Sequence, residues 1–160
     1  MKGFLWAVGA LAGAVAATVG VGKVLPGARD SADFFLIVVV YYAVTRSRTR
    51  GILMGAAGGL VQDVFASHLP GFHAFVKTGV AYAVGGLGSR FMLNQPFPQF
   101  LALVLATVLD AALATLLSFM LDLPLAVGPG RLARQSLANS ILGLILYTLV
   151  QRRAGRPARP

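Results

Sequence analysis

Long apolar segments that carry almost no charge restrict what this chain can fold into. Of its 160 residues, 57% are hydrophobic and only 12% are charged, whereas a soluble domain carries about a quarter charged residues. Several windows reach or approach the roughly 20 apolar residues that a helix needs to cross a bilayer. The sequence therefore predicts an all-α, polytopic membrane protein.

The charges that remain are mostly basic and give a formal net charge of +9. They lie in short clusters between apolar segments, as topology signals do, so we expect no binding to nucleic acid. The chain has no cysteine, which excludes disulfides, thiolate metal sites and cysteine nucleophiles.

Turn-forming residues and basic clusters divide the chain into six predicted transmembrane helices. The helices cover residues 3–22, 32–45, 51–67, 73–91, 97–121 and 132–150. The second is short for a membrane span, and we expect it to begin slightly before residue 32. We predict a six-helix transmembrane domain over residues 1–151 and a basic cytoplasmic tail over residues 152–160.

The basic residues also predict the orientation of the bundle. With both termini in the cytoplasm, nine of them lie on the inner face and four on the outer face, in agreement with the positive-inside rule. The nine are Lys2, Arg46, Arg48, Arg50, Arg90, Arg152, Arg153, Arg156 and Arg159. The first segment also resembles a secretory signal, but its apolar stretch is longer than usual, which favours a retained span.

Polar residues of the third and fourth helices stand in rows of small ones. Side chains four residues apart lie above one another on a helix, and small residues at this spacing allow two helices to approach closely in a membrane. The row in the third helix is Gly51, Gly55, Gly59 and Asp63. The row in the fourth is Lys77, Ala81, Gly85 and Ser89.

A short turn joins these two helices and makes them antiparallel, which allows the rows to face each other. Setting Asp63 level with Lys77 places Gly59 opposite Ala81 and Gly55 opposite Gly85. We therefore predict an intramembrane ion pair, Asp63–Lys77, at the outer end of this hairpin. An unpaired charge at a helix centre costs on the order of 3 kcal/mol. The pair either fixes the register of the hairpin, supports a partner-binding surface, or belongs to a path for protons or solutes.

The last two predicted helices also carry polar residues in rows with a spacing of four. One row contains Asp110 among alanines, and the other contains Gln135, Asn139, Gly143 and Tyr147. Desolvation disfavours a charged, unpaired carboxylate, so we expect Asp110 to be protonated or hydrogen-bonded, with Asn139 as a donor. Polar contacts between helices are favoured over chemistry here.

Sites for metals or catalysis have little support. His68 and His73 flank the predicted outer turn, but a zinc site needs more ligands than two histidines, so a surface loop is favoured. We find no nucleophile with a base, no phosphate loop and no paired carboxylates. The sequence predicts no cofactor, no metal and no enzymatic activity.

A Gly-rich third helix that ends in Gly59-x-x-x-Asp63, followed by Gly71-Phe72-His73-Ala74, resembles the MreD family of rod shape-determining proteins. The resemblance covers the whole chain in length and number of spans, and it is most specific over residues 55–86. It implies a non-enzymatic scaffold in the bacterial inner membrane, within the elongation (Rod) machinery, that supports peptidoglycan synthesis and rod shape. It further implies direct binding to MreC, and indirect association with RodA, a class B penicillin-binding protein and MreB.

The family is also similar in architecture to the substrate-binding subunits of energy-coupling-factor vitamin transporters. The alternative function is therefore that of a small-solute binding subunit, with a pocket lined by Asp110, Asn139, Tyr82 and Gln135. In the scaffold interpretation, the motif residues shape the surface or cavity that receives MreC. These residues are Gly59, Asp63, Gly71, His73 and Ala74.

Two phenylalanines, Phe72 and Phe75, are possible apolar anchors for MreC, although core packing is favoured for both. The cytoplasmic arginines between the second and third helices, at positions 46, 48 and 50, are expected to attract anionic lipid of the bilayer.

Overall fold

The computed structural model of the protein is built from helices. It describes residues 2–24, 31–66, 69–88, 96–124 and 129–153, and within these ranges it contains six helices and no strand. The helices are α1 (Lys2–Val24), α2 (Phe34–Thr45), α3 (Arg48–Ala66), α4 (Phe72–Gly88), α5 (Pro96–Met120) and α6 (Pro129–Arg153). The prediction of six helices is confirmed.

The ends of several helices differ from the prediction; α6, for example, spans Pro129–Arg153 and not residues 132–150. The second helix was expected to begin before residue 32, but α2 begins at Phe34, because the Asp33 side chain accepts a hydrogen bond from the Leu36 amide and caps the helix. The third begins three residues early, at Arg48, inside the basic cluster, where Ser47 Oγ accepts from the Arg50 amide. The predictions for Ser67, His68, Ser89, Phe91 and the tail from residue 154 concern positions outside the described residues.

The short helix α2 lies at the centre of the bundle and packs against all five other helices. It spans 12 residues, which is about 18 Å of helix, and its apolar residues cover every side. A helix that is apolar all round is stable only when it is buried, and most of its side chains are buried, including Phe35, Leu36 and Val39. The core forms on both sides of it, towards α1 and α3 and towards α4 and α5.

Helices α3 and α4 form the predicted antiparallel hairpin, the most extensive helix pair in the fold. Glycines of α3 make close packing possible: a Cβ on Gly55 would lie 2.7 Å from the Lys77 carbonyl oxygen, and one on Gly59 would overlap the backbone of Ala74. Both glycines lie against the backbone of α4. Gly71, in the turn, has a φ of +95°, a conformation that glycine adopts without the steric cost of a side chain.

The predicted register of the hairpin is wrong by roughly two helical turns. Gly59 faces Ala74 and not Ala81, and Gly55 faces Lys77 and not Gly85. The turn is tighter than expected, because Asp63 binds the first residues of α4 directly.

The remaining small residues of the two rows contact other parts of the bundle. Gly51 packs against Ala43 of α2, and Gly85 packs against Arg48 at the start of α3. Ala81 is fully buried in the core with Phe35 and Met54. All three serve helix packing, but none with the partner that the sequence predicted.

The outside of the bundle is apolar, the reverse of a soluble protein. Large exposed side chains follow one face of α6 at intervals of four residues: Leu137, Ile141, Ile145 and Leu149. By length and composition, two helical segments of the described chain could cross a membrane, Leu5–Val24 and Phe97–Met120, with mean hydropathies of 1.8 and 2.3. Only 6% of the first is buried within the bundle, as expected for a helix with lipid on most of its sides.

Close packing at Gly59 gives a direct test of the hairpin. We expect Gly59→Ala to lower the free energy of unfolding by about 1–3 kcal/mol, because the added methyl overlaps the α4 backbone. Gly20→Ala on α1 is the matched control, since a Cβ there meets nothing within 4 Å. That change should be neutral or slightly stabilising, because alanine is favoured over glycine in helices. Thermal unfolding in detergent measures both, and equal midpoints would contradict the packing.

Candidate functional site

The first polar site closes the hairpin between α3 and α4. The Asp63 carboxylate accepts hydrogen bonds from the backbone amides of Gly71 (2.8 Å), His73 (2.8 Å) and Ala74 (3.5 Å). These are among the amides that a helix N-terminus leaves without an internal partner. A carboxylate is also stabilised by the positive end of the helix dipole. Asp63 of one helix thus caps the N-terminus of the next.

His73 completes this site through its side chain. Its Nδ1 lies 2.7 Å from Asp63 Oδ1 and donates the hydrogen bond, because an ionised carboxylate only accepts. The prediction of a surface-loop histidine is wrong, since His73 lies in the first turn of α4 and its side chain is mostly buried. The structure brings together all five residues of the motif: Gly59, Asp63, Gly71, His73 and Ala74.

The predicted ion pair between Asp63 and Lys77 is wrong. The carboxylate of Asp63 is occupied by the start of α4, and the shifted register leaves Lys77 farther along that helix. The Lys77 side chain is fully buried, and its Nζ donates to Asp33 Oδ2 at 2.6 Å and to Asp110 Oδ1 at 3.3 Å. These two ion pairs join α4 to α5 and to the start of α2. We call Asp33, Lys77 and Asp110 the charged triad.

Asp33 is the residue of the triad that sequence reasoning missed. It is buried, caps α2 and accepts hydrogen bonds from Lys77, from the Leu36 amide and, at 3.4 Å, from Gln62 Nε2. A signal for it exists in the sequence, because an aspartate directly before an entirely apolar helix is a favourable N-cap. Since that helix is central, its cap must face other helices.

Asn139 extends the polar network into α6, but not as predicted. Its Oδ1 accepts a hydrogen bond from the Asp33 amide (2.8 Å), and its Nδ2 donates to Thr107 Oγ1 (3.1 Å). The expected bond from Asn139 to Asp110 is therefore absent, and Asp110 binds Lys77 instead. Asn139 ties three elements together, the start of α2, α5 and α6, and it is fully buried.

Three of the residues proposed for a solute pocket take part in other contacts. Tyr82 is exposed and lies under the Arg48 guanidinium, 3.6 Å from its ring centre. Asp110 and Asn139 are engaged in the polar network. A different cavity, of about 30 Å³, lies between α2, α5 and α6 and is lined mostly by apolar side chains, with Gln99 and Tyr147. It has room for about two water molecules.

The described residues contain no group of three or more acidic, histidine or cysteine side chains arranged to hold a metal ion. Most of the described polar side chains of the interior bind one another or the backbone, although the buried Ser140 hydroxyl has no partner among the described residues. The arrangement can set the positions of α2, α3, α4, α5 and α6 relative to one another.

Comparison with known proteins identifies one family. The family model described as rod shape-determining protein MreD matches residues 6–152, nearly the whole chain. No curated protein and no solved structure matches the chain. The similarity to transporter subunits therefore stays a prediction.

The partner of Lys77 can be established by double-mutant cycles. Lys77→Met should lower the free energy of unfolding by about 3–5 kcal/mol, because it leaves a buried carboxylate without its cation. Combined with Asp33→Asn, we expect a coupling energy of about 1–3 kcal/mol. Combined with Asp63→Asn, we expect less than about 0.5 kcal/mol, since the two residues make no contact. Unfolding in detergent measures both cycles. A larger coupling energy with Asp63 than with Asp33 would support the ion pair predicted from the sequence.

Proposed function

The chain belongs to the MreD family of rod shape-determining proteins, and we propose that it acts as a non-enzymatic membrane scaffold that binds MreC directly. Its role in determining rod shape follows from the family, whose model covers residues 6–152. In this proposal MreC connects the scaffold to peptidoglycan synthesis by RodA and its class B penicillin-binding protein, and MreB belongs to the same complex without direct contact.

The proposal of MreC binding rests on the structure of the α3–α4 turn. Around the capped turn, large apolar side chains point outwards: Val64 (79% exposed), Phe65 (46%), Leu69 (51%) and Phe75 (63%). We call these four residues the hairpin surface. Phe72, the other suggested anchor for MreC, is buried, so Phe75 is the one of the two that is exposed for binding.

A rigid turn favours this surface as a binding site. The hydrogen bonds from Asp63 hold the start of α4 against the end of α3, so the apolar side chains that flank the turn keep fixed positions. A preorganised surface loses less conformational entropy on binding than a flexible loop. An apolar surface at the outer end of a hairpin suits the single membrane helix of MreC, where that helix emerges from the bilayer.

The position of the hairpin surface depends on the topology. We propose a multi-pass protein of the bacterial cytoplasmic membrane with both termini in the cytoplasm. Arg46, Arg48 and Arg50 are exposed at the end of the bundle opposite the hairpin turn, which supports this orientation by the positive-inside rule. At this inner end, the three arginines would contact anionic lipid.

Photo-crosslinking tests the hairpin surface. A photoreactive phenylalanine analogue at position 75 should crosslink MreC in native membranes, whereas the same analogue at Ile141, which is similarly exposed on α6, should not. If position 141 crosslinks MreC and position 75 does not, MreC binds the α6 face and not the hairpin surface. If MreC neither crosslinks at either position nor co-purifies with the wild-type chain, direct binding is wrong.

The proposed topology has its own test, which the absence of cysteine from the chain makes simple. Single cysteines are introduced as Leu69→Cys in the outer turn and Ser47→Cys in the basic cluster, both at exposed positions. A membrane-impermeant maleimide added to spheroplasts should label position 69 at least about tenfold more than position 47, because the bilayer excludes a charged reagent. After lysis both should react. Labelling of position 47 in intact spheroplasts would reverse the orientation.

A further inference from the structure

The charged triad contains more negative charge than it can neutralise. Asp33 and Asp110 each place a carboxyl group against the same ammonium, Lys77 Nζ. If both carboxyls were ionised, the triad would hold a net charge of −1 in the interior of the bundle. An isolated ionised carboxylate is very costly to bury, and a group in that position commonly becomes neutral instead.

Other charges near the triad do not supply the missing cation. Helix α5 packs against α4, α6 and α2. Among the described residues, α4 contributes Lys77 and His73, the start of α2 contributes Asp33, and α6 contributes the neutral Asn139. His73 binds Asp63, whose carboxylate is already compensated by the start of α4. One ammonium therefore serves two carboxyls.

The two carboxyl groups have different surroundings. Asp33 accepts the shorter bond from Lys77 (2.6 Å), a second from the Leu36 amide (2.9 Å) and a third from Gln62 (3.4 Å). Among the described residues, Asp110 accepts only the longer bond from Lys77, at 3.3 Å. Hydrogen bonds to the charged form favour ionisation, so the negative charge belongs on Asp33.

We propose that Asp110 is a proton-binding site within the helical bundle, which carries a proton in the folded protein at neutral pH. Asp33 alone then neutralises Lys77, and the carbonyl oxygen of the neutral Asp110 carboxyl accepts the longer bond from the ammonium. Release of this proton would place a second negative charge, that of Asp110, between α4 and α5. The protonation state of Asp110 therefore couples to the packing of these two helices, independently of any partner.

Two neutral substitutions in the full-length protein separate the carboxyls. Asp110→Asn mimics the protonated side chain without the free-energy cost of taking up a proton at neutral pH, so its unfolding midpoint should equal or exceed that of the wild type. Asp33→Asn is the matched control: it keeps an oxygen to cap α2 but removes the charge that Lys77 needs. Its midpoint should fall by at least about 6 °C. Equal losses in the two variants would overturn the proposal.

Chemical labelling gives an independent measurement that does not depend on stability. Dicyclohexylcarbodiimide is an apolar reagent that adds to protonated carboxyl groups, and the Asp110 side chain remains 14% exposed. At neutral pH the folded protein should form an adduct at Asp110 and not at Asp33, as located by mass spectrometry of peptides. The unfolded chain at acidic pH is the positive control. The reagent concentration is chosen so that both Asp33 and Asp110 react in it. No adduct at Asp110 under those conditions, or equal adducts at both residues, would overturn the proposal.

Discussion

A single buried ammonium group organises the interior of this protein. Lys77 cannot reach solvent, so its charge must be balanced inside the bundle, and the structure provides Asp33 at the start of α2 and Asp110 in the middle of α5. Because the three side chains come from separate elements, they can meet only when α2, α4 and α5 are correctly placed. Asn139 adds α6 to the same network through Asp33 and Thr107. The polar network thus specifies an arrangement that apolar packing in lipid would leave loosely determined.

The Asp63 site uses the same physical rule at the hairpin end. A carboxylate within a membrane segment needs donors, and the first amides of α4 need acceptors, so each satisfies the other. The close contact requires Gly59 and Gly71: one lets the helices approach, and the other adopts the positive φ of the turn. The family motif is therefore a structural unit, and its proposed role in binding MreC follows from the rigid apolar surface that it holds in place.

The polar contacts show where sequence reasoning reached its limit. The rows of small residues correctly indicated that α3 and α4 pack closely, because spacing along one helix follows directly from the sequence. Their register did not follow, since several alignments of two small-residue rows are sterically possible. The choice of Lys77 as the partner of Asp63 rested on that register, and the competing donors, backbone amides at a helix start, carry no signature in side-chain patterns.

The sequence by itself determined the membrane character of the chain, its six helices and its family, because hydropathy, turn residues and a local motif depend on residues near one another in the chain. The tertiary structure decided which charges meet. Asp33 and Lys77 lie 44 positions apart, and Lys77 and Asp110 lie 33 apart, so their contact depends on how α2, α4 and α5 pack. The central place of the short α2 brings Asp33 to Lys77, and no pattern within a single helix encodes that meeting.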